Sequence, residues 1–220
     1  MPADDSLGQI IILNGTPRSG KSSIAAVIQD TFEGIWINLG VDHYMQMSPK
    51  RLHPSIGLRP GGEGPHLEEA IVRMYAGLYA SIAAHSRVGL NVVSDVGHHD
   101  MYSQPRGILP ACARRLEGLP TILVGVRCPI ETIMERRRAT NALPPDTSGD
   151  ETVPAPVLRW QEQVHIPGIY DLQVDSSLLS PEACAQRIRA YLDSAQTPTA
   201  ISTLAAMATD SSTWSETTIE

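Results

Sequence analysis

Eight consecutive residues carry the clearest chemistry in the chain: Gly15, Thr16, Pro17, Arg18, Ser19, Gly20, Lys21 and Ser22. They match the phosphate-binding pattern G-x-x-x-x-G-K-[ST]. The two glycines let the backbone turn tightly and bring its N–H groups up to phosphate oxygens. Lys21 supplies a positive charge for the β- and γ-phosphates, and the Ser22 hydroxyl is a ligand for Mg²⁺. Ser23 offers a further hydroxyl. Only two lysines occur in the chain, Lys21 and Lys50, so Lys21 has few rivals for this role. The motif implies a nucleoside triphosphate with Mg²⁺.

Transfer of a phosphoryl group to an alcohol also needs a carboxylate that orients the hydroxyl and accepts its proton, and groups that hold the metal. Asp42 follows the strand-like segment Ile35–Leu39 and is the candidate base; its competing role is N-cap of the segment opening at His43-Tyr44-Met45. Asp95 follows the run Leu90–Ser94. It could ligate Mg²⁺ through water, bind substrate or cap the next turn. Arg136, Arg137 and Arg138 form a basic run in which one arginine can stabilise the transferred group, with Arg136 the candidate. Arg127 is a further one. Gly97-His98-His99-Asp100 suggests a metal, but adjacent histidines rarely point to one ion and no third ligand is suitably spaced. Lining an acceptor pocket is the better reading.

These residues need a frame that brings them to one edge. Residues 9–13 read as a strand whose aliphatic run Ile10–Leu13 is continuous, as in a strand buried on both faces of a parallel sheet. Ile24, Val27 and Ile28 then recur at helical spacing, so the loop lies between a strand and a helix. Further strands are expected at 35–39, 90–94, 121–126 and 169–174. Leu67, Ile71, Met74, Leu78 and Ile82 mark an amphipathic helix. Other helices are expected around 103–117, from Pro129 through Arg138, and from Ser180 to Asp193. The pattern predicts an α/β fold: a five-stranded parallel sheet with helices on both faces, the three-layer architecture of P-loop nucleoside kinases. The second strand is expected beside the first, with Asp42 and Asp95 just past strand ends on the ligand-binding rim. Residues 1–193 form the kinase domain, with a mobile lid at about 139–157. Ser and Thr make up 12 of the 27 residues in 194–220, which reads as a disordered tail with at most a weak helix from Ile201 to Ala208.

A net charge of −7 over 220 residues argues against nucleic acid or an anionic membrane as partner. No apolar run reaches the roughly 18 residues of a membrane span. The first residues lack a secretory signal. Cys112, Cys128 and Cys184 show no Cys-x-x-Cys spacing, consistent with reduced thiols and a cytoplasmic location. The expected partner is a small hydroxyl-bearing molecule, with a homo-oligomer left open.

Several segments together resemble the chloramphenicol phosphotransferase-like proteins, over residues 9–192. They are Ile11-Ile12-Leu13-Asn14-Gly15 with the phosphate loop, Leu39-Gly40-Val41-Asp42, and Gly61-Gly62 ahead of Gly64-Pro65. Then come Val92-Val93-Ser94-Asp95-Val96, Val124-Gly125-Val126-Arg127-Cys128, and Val164-His165 with Tyr170-Asp171-Leu172-Gln173-Val174-Asp175. The resemblance implies ATP- and Mg²⁺-dependent transfer of the γ-phosphate to a hydroxyl of a small antibiotic. It matches Asp42 to the family's proposed catalytic aspartate. This chain departs from the family where Ser94-Asp95 replaces two aspartates, and where the lid helix continues Ala139-Thr140-Asn141 and lacks an expected arginine. Competing readings are the same chemistry on a nucleoside-like metabolite in biosynthesis or self-protection, a nucleotide binder without transfer, and a sulfotransferase. A guanine-reading Asn/Thr-Lys-x-Asp motif is absent.

Overall fold

The computed structural model describes residues 6–52, 60–62, 64–140 and 153–208. Five parallel strands, β1 (Ile10–Asn14), β2 (Trp36–Asn38), β3 (Asn91–Val96), β4 (Thr121–Arg127) and β5 (Leu172–Asp175), form one sheet in the order β2-β3-β1-β4-β5. The predicted class is observed, but β2 pairs with β3 and not with β1. The burial explains this placement. All five residues of β1 are buried, as a central strand requires, while β2 is short and only partly buried, as at an edge.

Side-chain alternation along β1 builds both cores. Ile10 and Ile12 pack with Ile71, Leu78 and Ile82 of α3 (Glu68–Arg87). Ile11 and Leu13 pack with Ile24 and Ile28 of α1 (Lys21–Thr31) and with Ile188 of α7 (Pro181–Leu192). The remaining helices are α2 (Val41–Gln46), α4 (Ile108–Arg115), α5 (Ile130–Ala139), α6 (Ala155–Gln163) and α8 (Ala200–Ala206).

Three boundaries shift. Asp95 lies inside β3, paired with Leu13. β5 starts at Leu172, because the Asp171 carboxylate accepts from Leu123 N (2.8 Å) and Tyr170 bonds elsewhere. α4 starts only after Gly107, whose φ of 60° is left-handed.

The tail expectation is corrected over 200–206. Ala200, Ile201, Leu204 and Ala205 are buried in the α3/α4 core, one apolar stripe with the polar residues outward. Both ends of α8 are satisfied. Asp171 Oδ1 accepts from Thr199 N (2.7 Å) and Ala200 N (2.9 Å). Arg114 donates to the carbonyls of Ala205 and Ala208. Residues 209–220, and 141–152 of the expected lid, lie outside the described residues. Among the described residues no helix is long and apolar enough to cross a membrane. All three cysteines are free and buried.

Candidate active site

The phosphate loop leaves β1 at the middle of the sheet and needs glycine where it starts. A Cβ on Gly15 would lie 2.5 Å from the Val126 carbonyl oxygen. Arg18 (φ 73°) and Gly20 (φ 92°) turn through left-handed conformations to enter α1. That helix has no side-chain cap, so its first N–H groups stay open to an anion. Lys21 Nζ donates to the carbonyls of Gly15 (2.9 Å) and Thr16 (2.8 Å). Burial pulls the Lys21 pKa down to about 8, against the opposing pull of Asp95 and Asp42. Ser19 Oγ is buried in the loop with no hydrogen-bond partner.

Two residues clamp the loop from behind. Ser176 Oγ donates to Ser19 O (2.6 Å) and accepts from Arg136 Nη1 (3.2 Å). Arg136 also donates to Ser176 O (2.6 Å) and Arg18 O (3.2 Å). The structure therefore brings Arg136 to the loop, while Arg138 is exposed. Arg127 bonds to Gln173 Oε1 (2.8 Å), lies over the Tyr170 ring, and does not line the cleft. Sequence reasoning missed Ser176. The available signal was its position one residue past β5, on the same rim as the loop.

In front of the loop, Ser22 Oγ donates to Asp95 Oδ2 (2.6 Å). A hydroxyl and a carboxylate thus stand together where a divalent cation bound to a polyphosphate would sit. A Cβ on Gly40 would lie 1.7 Å from Asp95 Oδ1, so only glycine lets the start of α2 approach this carboxylate. Gly40 is the N-cap of α2, and Asp42 is an exposed residue within its first turn. The capping alternative for Asp42 is thereby removed. The uncapped helix, the half-buried lysine, the orphan Ser19 hydroxyl and the Ser22–Asp95 pair fit a nucleoside triphosphate with Mg²⁺.

A single cleft of about 770 Å³ joins the two sides. Its phosphate side is lined by the loop and Arg136, and its other side by Val41, Asp42, Tyr75, Val96, Gly97 and Trp160. Tyr75 and Trp160 escaped sequence reasoning, since a lone aromatic on a helix gives no site signal. His98 and His99 do not reach the cleft. His98 is 1% exposed, its Nε2 bonds the Tyr79 hydroxyl (2.7 Å), and burial lowers its pKa to about 3. His99 stacks on Tyr102 and meets Trp160 edge-on. Among the described residues no group of three or more His, Cys, Asp or Glu could hold a metal. Of the pocket-lining expectation for this segment, Gly97 alone survives.

The family model for chloramphenicol phosphotransferase-like protein matches residues 8–193. No curated protein matches the chain. Among solved structures, a sugar kinase from Janibacter sp. HTCC2649 is 18% identical with a TM-score of 0.55, over 92% of this chain and 99% of that one. The tunicamycin resistance protein of Deinococcus radiodurans is 16% identical with a TM-score of 0.55, over 87% and 99%. Shikimate kinase from Acinetobacter baumannii, solved with shikimate, is 12% identical with a TM-score of 0.52, over 83% and 91%. At these identities the likeness is one of fold. With its five-stranded parallel sheet, its phosphate loop and the family match over nearly the whole folded chain, the protein belongs to the chloramphenicol phosphotransferase-like family and has the fold of the P-loop kinases.

Proposed function

We propose that the protein is an O-phosphotransferase that moves the γ-phosphate of ATP to a hydroxyl of a small antibiotic or related specialised metabolite. The observation that carries this reading is the single cleft with the phosphate loop at one side and Asp42 at the other. Such a site serves two substrates that meet over Lys21. The acceptor side offers Val41, Tyr75, Val96, Gly97 and Trp160 with one carboxylate, and among the described residues no lysine or arginine. That lining favours an acceptor without carboxylate, sulfate or phosphate groups. Likeness to a protein described as a tunicamycin resistance protein agrees with an antibiotic acceptor.

Bound Mg·ATP supplies the phosphoryl group. Lys21 would exchange its two carbonyl partners for the β- and γ-phosphate oxygens, a low-cost exchange for the ammonium because phosphate oxygens are hydrogen-bond acceptors like the carbonyls they replace. Ser22 and Asp95 would hold the cation. Arg136, anchored on Ser176, would neutralise charge at the loop. Asp42 would orient the acceptor hydroxyl and take its proton as the new bond to phosphorus forms.

The test is to incubate the protein with Mg·ATP and a panel of hydroxyl-bearing antibiotics, chloramphenicol included, and nucleosides. The reading predicts a phosphate mass increment on one class of acceptor, with ADP formed in step. ATP consumption indifferent to every acceptor, or binding without turnover, would overturn it.

A further inference from the structure

We propose that Asn14 is a positioning residue that sets the acceptor side of the cleft against the phosphate loop, with Tyr170 as its partner; the catalytic consequence rests on the function proposed above. Asn14 is the last residue of β1, next to Gly15, and is 1% exposed. Its carboxamide makes three hydrogen bonds. Oδ1 accepts from His98 N (2.8 Å), and Nδ2 donates to Val164 O (2.8 Å) and to Tyr170 Oη (2.9 Å). Both amide hydrogens and the carbonyl are therefore used. Having accepted from Asn14, the Tyr170 hydroxyl donates to His165 Nδ1 (2.8 Å). Burial, with Arg127 and Lys21 nearby, lowers the His165 pKa to about 4, so this ring is neutral and able to accept.

The partners matter because of what they carry. His98 follows Gly97, and Val164 N donates to Trp160 O (3.0 Å). Gly97 and Trp160 both line the acceptor side. Gly97 is wedged between Trp160 and the start of the loop: a Cβ there would lie 3.1 Å from Trp160 Cζ3 and 3.3 Å from Gly15 O. One carboxamide thus fixes two walls, drawn from segments 84 and 150 residues away, to the start of the phosphate loop. No other side chain of this size supplies one acceptor and two donors together. Aspartate keeps the acceptor and loses both donors, and leaving such buried groups unpaired is costly.

The test uses Asn14→Asp and Tyr170→Phe, with hydrogen exchange read over 97–99, over 164–170 and over the α3 core (71–82), and with calorimetric binding of Mg·AMPPNP. In Asn14→Asp, exchange over 164–170 is expected to rise by about tenfold or more while the His98 amide stays protected. Tyr170→Phe is expected to loosen 164–170 alone, and it keeps the proposal testable if Asn14→Asp does not fold. In both variants the α3 core stays protected, and in Tyr170→Phe, which adds no charge beside the loop, Mg·AMPPNP affinity stays within about threefold of wild type. Unchanged exchange over 164–170 would overturn the proposal. So would loosening that spreads equally to the α3 core, or a loss of Mg·AMPPNP affinity of about tenfold or more in Tyr170→Phe. Failure of the wild-type protein to bind Mg·AMPPNP would instead count against the proposed function, and the exchange pattern would still decide the role of Asn14.

Discussion

The phosphate side of the cleft is one stretch of chain, Gly15 to Ser22, backed by Ser176 and Arg136. The acceptor side is assembled from single residues on α2, α3, the end of β3 and α6. The first is built mainly from backbone N–H groups, so its geometry depends on local turns. The second is built from side chains, so its geometry depends on how distant segments are tied together. Damage to the first should act on nucleotide handling, and damage to the second on the acceptor with the nucleotide spared.

The largest expected effect is on the phosphate side. Lys21→Ala removes the lysine proposed to meet the phosphates, and transfer should fall by roughly 10³, with Mg·AMPPNP affinity falling too. Steady-state rates and calorimetry check this, and transfer at near wild-type rate would break the comparison at its root.

A stability effect is expected on the acceptor side. Glu68, at the start of α3, accepts from Ser103 N, Ser103 Oγ and both Arg106 Nε and Nη2, which pins the loop that follows β3. Burial alone would raise the Glu68 carboxyl, but these bonds outweigh it and hold its pKa below the usual range. Arg106→Ala should destabilise the fold by about 1–3 kcal/mol in urea unfolding. Nucleotide affinity should not follow. A matching loss of Mg·AMPPNP binding would mean that the two sides are not separable.

Ser176→Ala tests the clamp behind the loop. It leaves Ser19 O without its donor and removes one of the acceptors of Arg136, which keeps the carbonyls of Ser176 and Arg18, and should weaken Mg·AMPPNP by about tenfold. The acceptor KM should hold, and the opposite split would reassign Ser176.

The smallest effect is on pH. The free-site Lys21 pKa is lowered to about 8 by burial. A bound polyphosphate favours the ammonium and raises that pKa, so binding above pH 8 takes up a proton. Mg·AMPPNP affinity should therefore fall as pH rises through about 8, by no more than about tenfold per unit. Below pH 7 the lysine is charged in both states and contributes no pH dependence. A flat profile from pH 7.5 to 9.5 would show that the loop does not perturb Lys21.

The same contrast explains what could be read from the sequence. The phosphate loop was legible because its chemistry needs glycines at fixed spacing in one contiguous segment. The central strand was legible because burial on both faces leaves the run Ile10–Leu13. The edge position of β2 was not, since strand order depends on crossovers and not on local pattern. Tyr75 and Trp160 were invisible because only the packing of α3 and α6 turns them to one cavity. Asn14 gave no site signal, because its role depends on three partners from distant segments. A weak helix was legible from Ile201, but the docking of α8 into the core was not: Ile201, Leu204 and Ala205 make a narrow stripe among serines and threonines, and its caps come from Asp171 and Arg114.

The central claim is that the two sides act on different substrates of one transfer, with Asp42 acting on the acceptor. Asp42→Asn keeps the shape and removes most of the basicity, and Asp42 is not the cap of α2. Turnover with an acceptor identified by the panel should fall by about 10² to 10⁴, with Mg·AMPPNP affinity within about twofold of wild type. Near-normal turnover, or a loss of nucleotide affinity in this variant, would contradict the account.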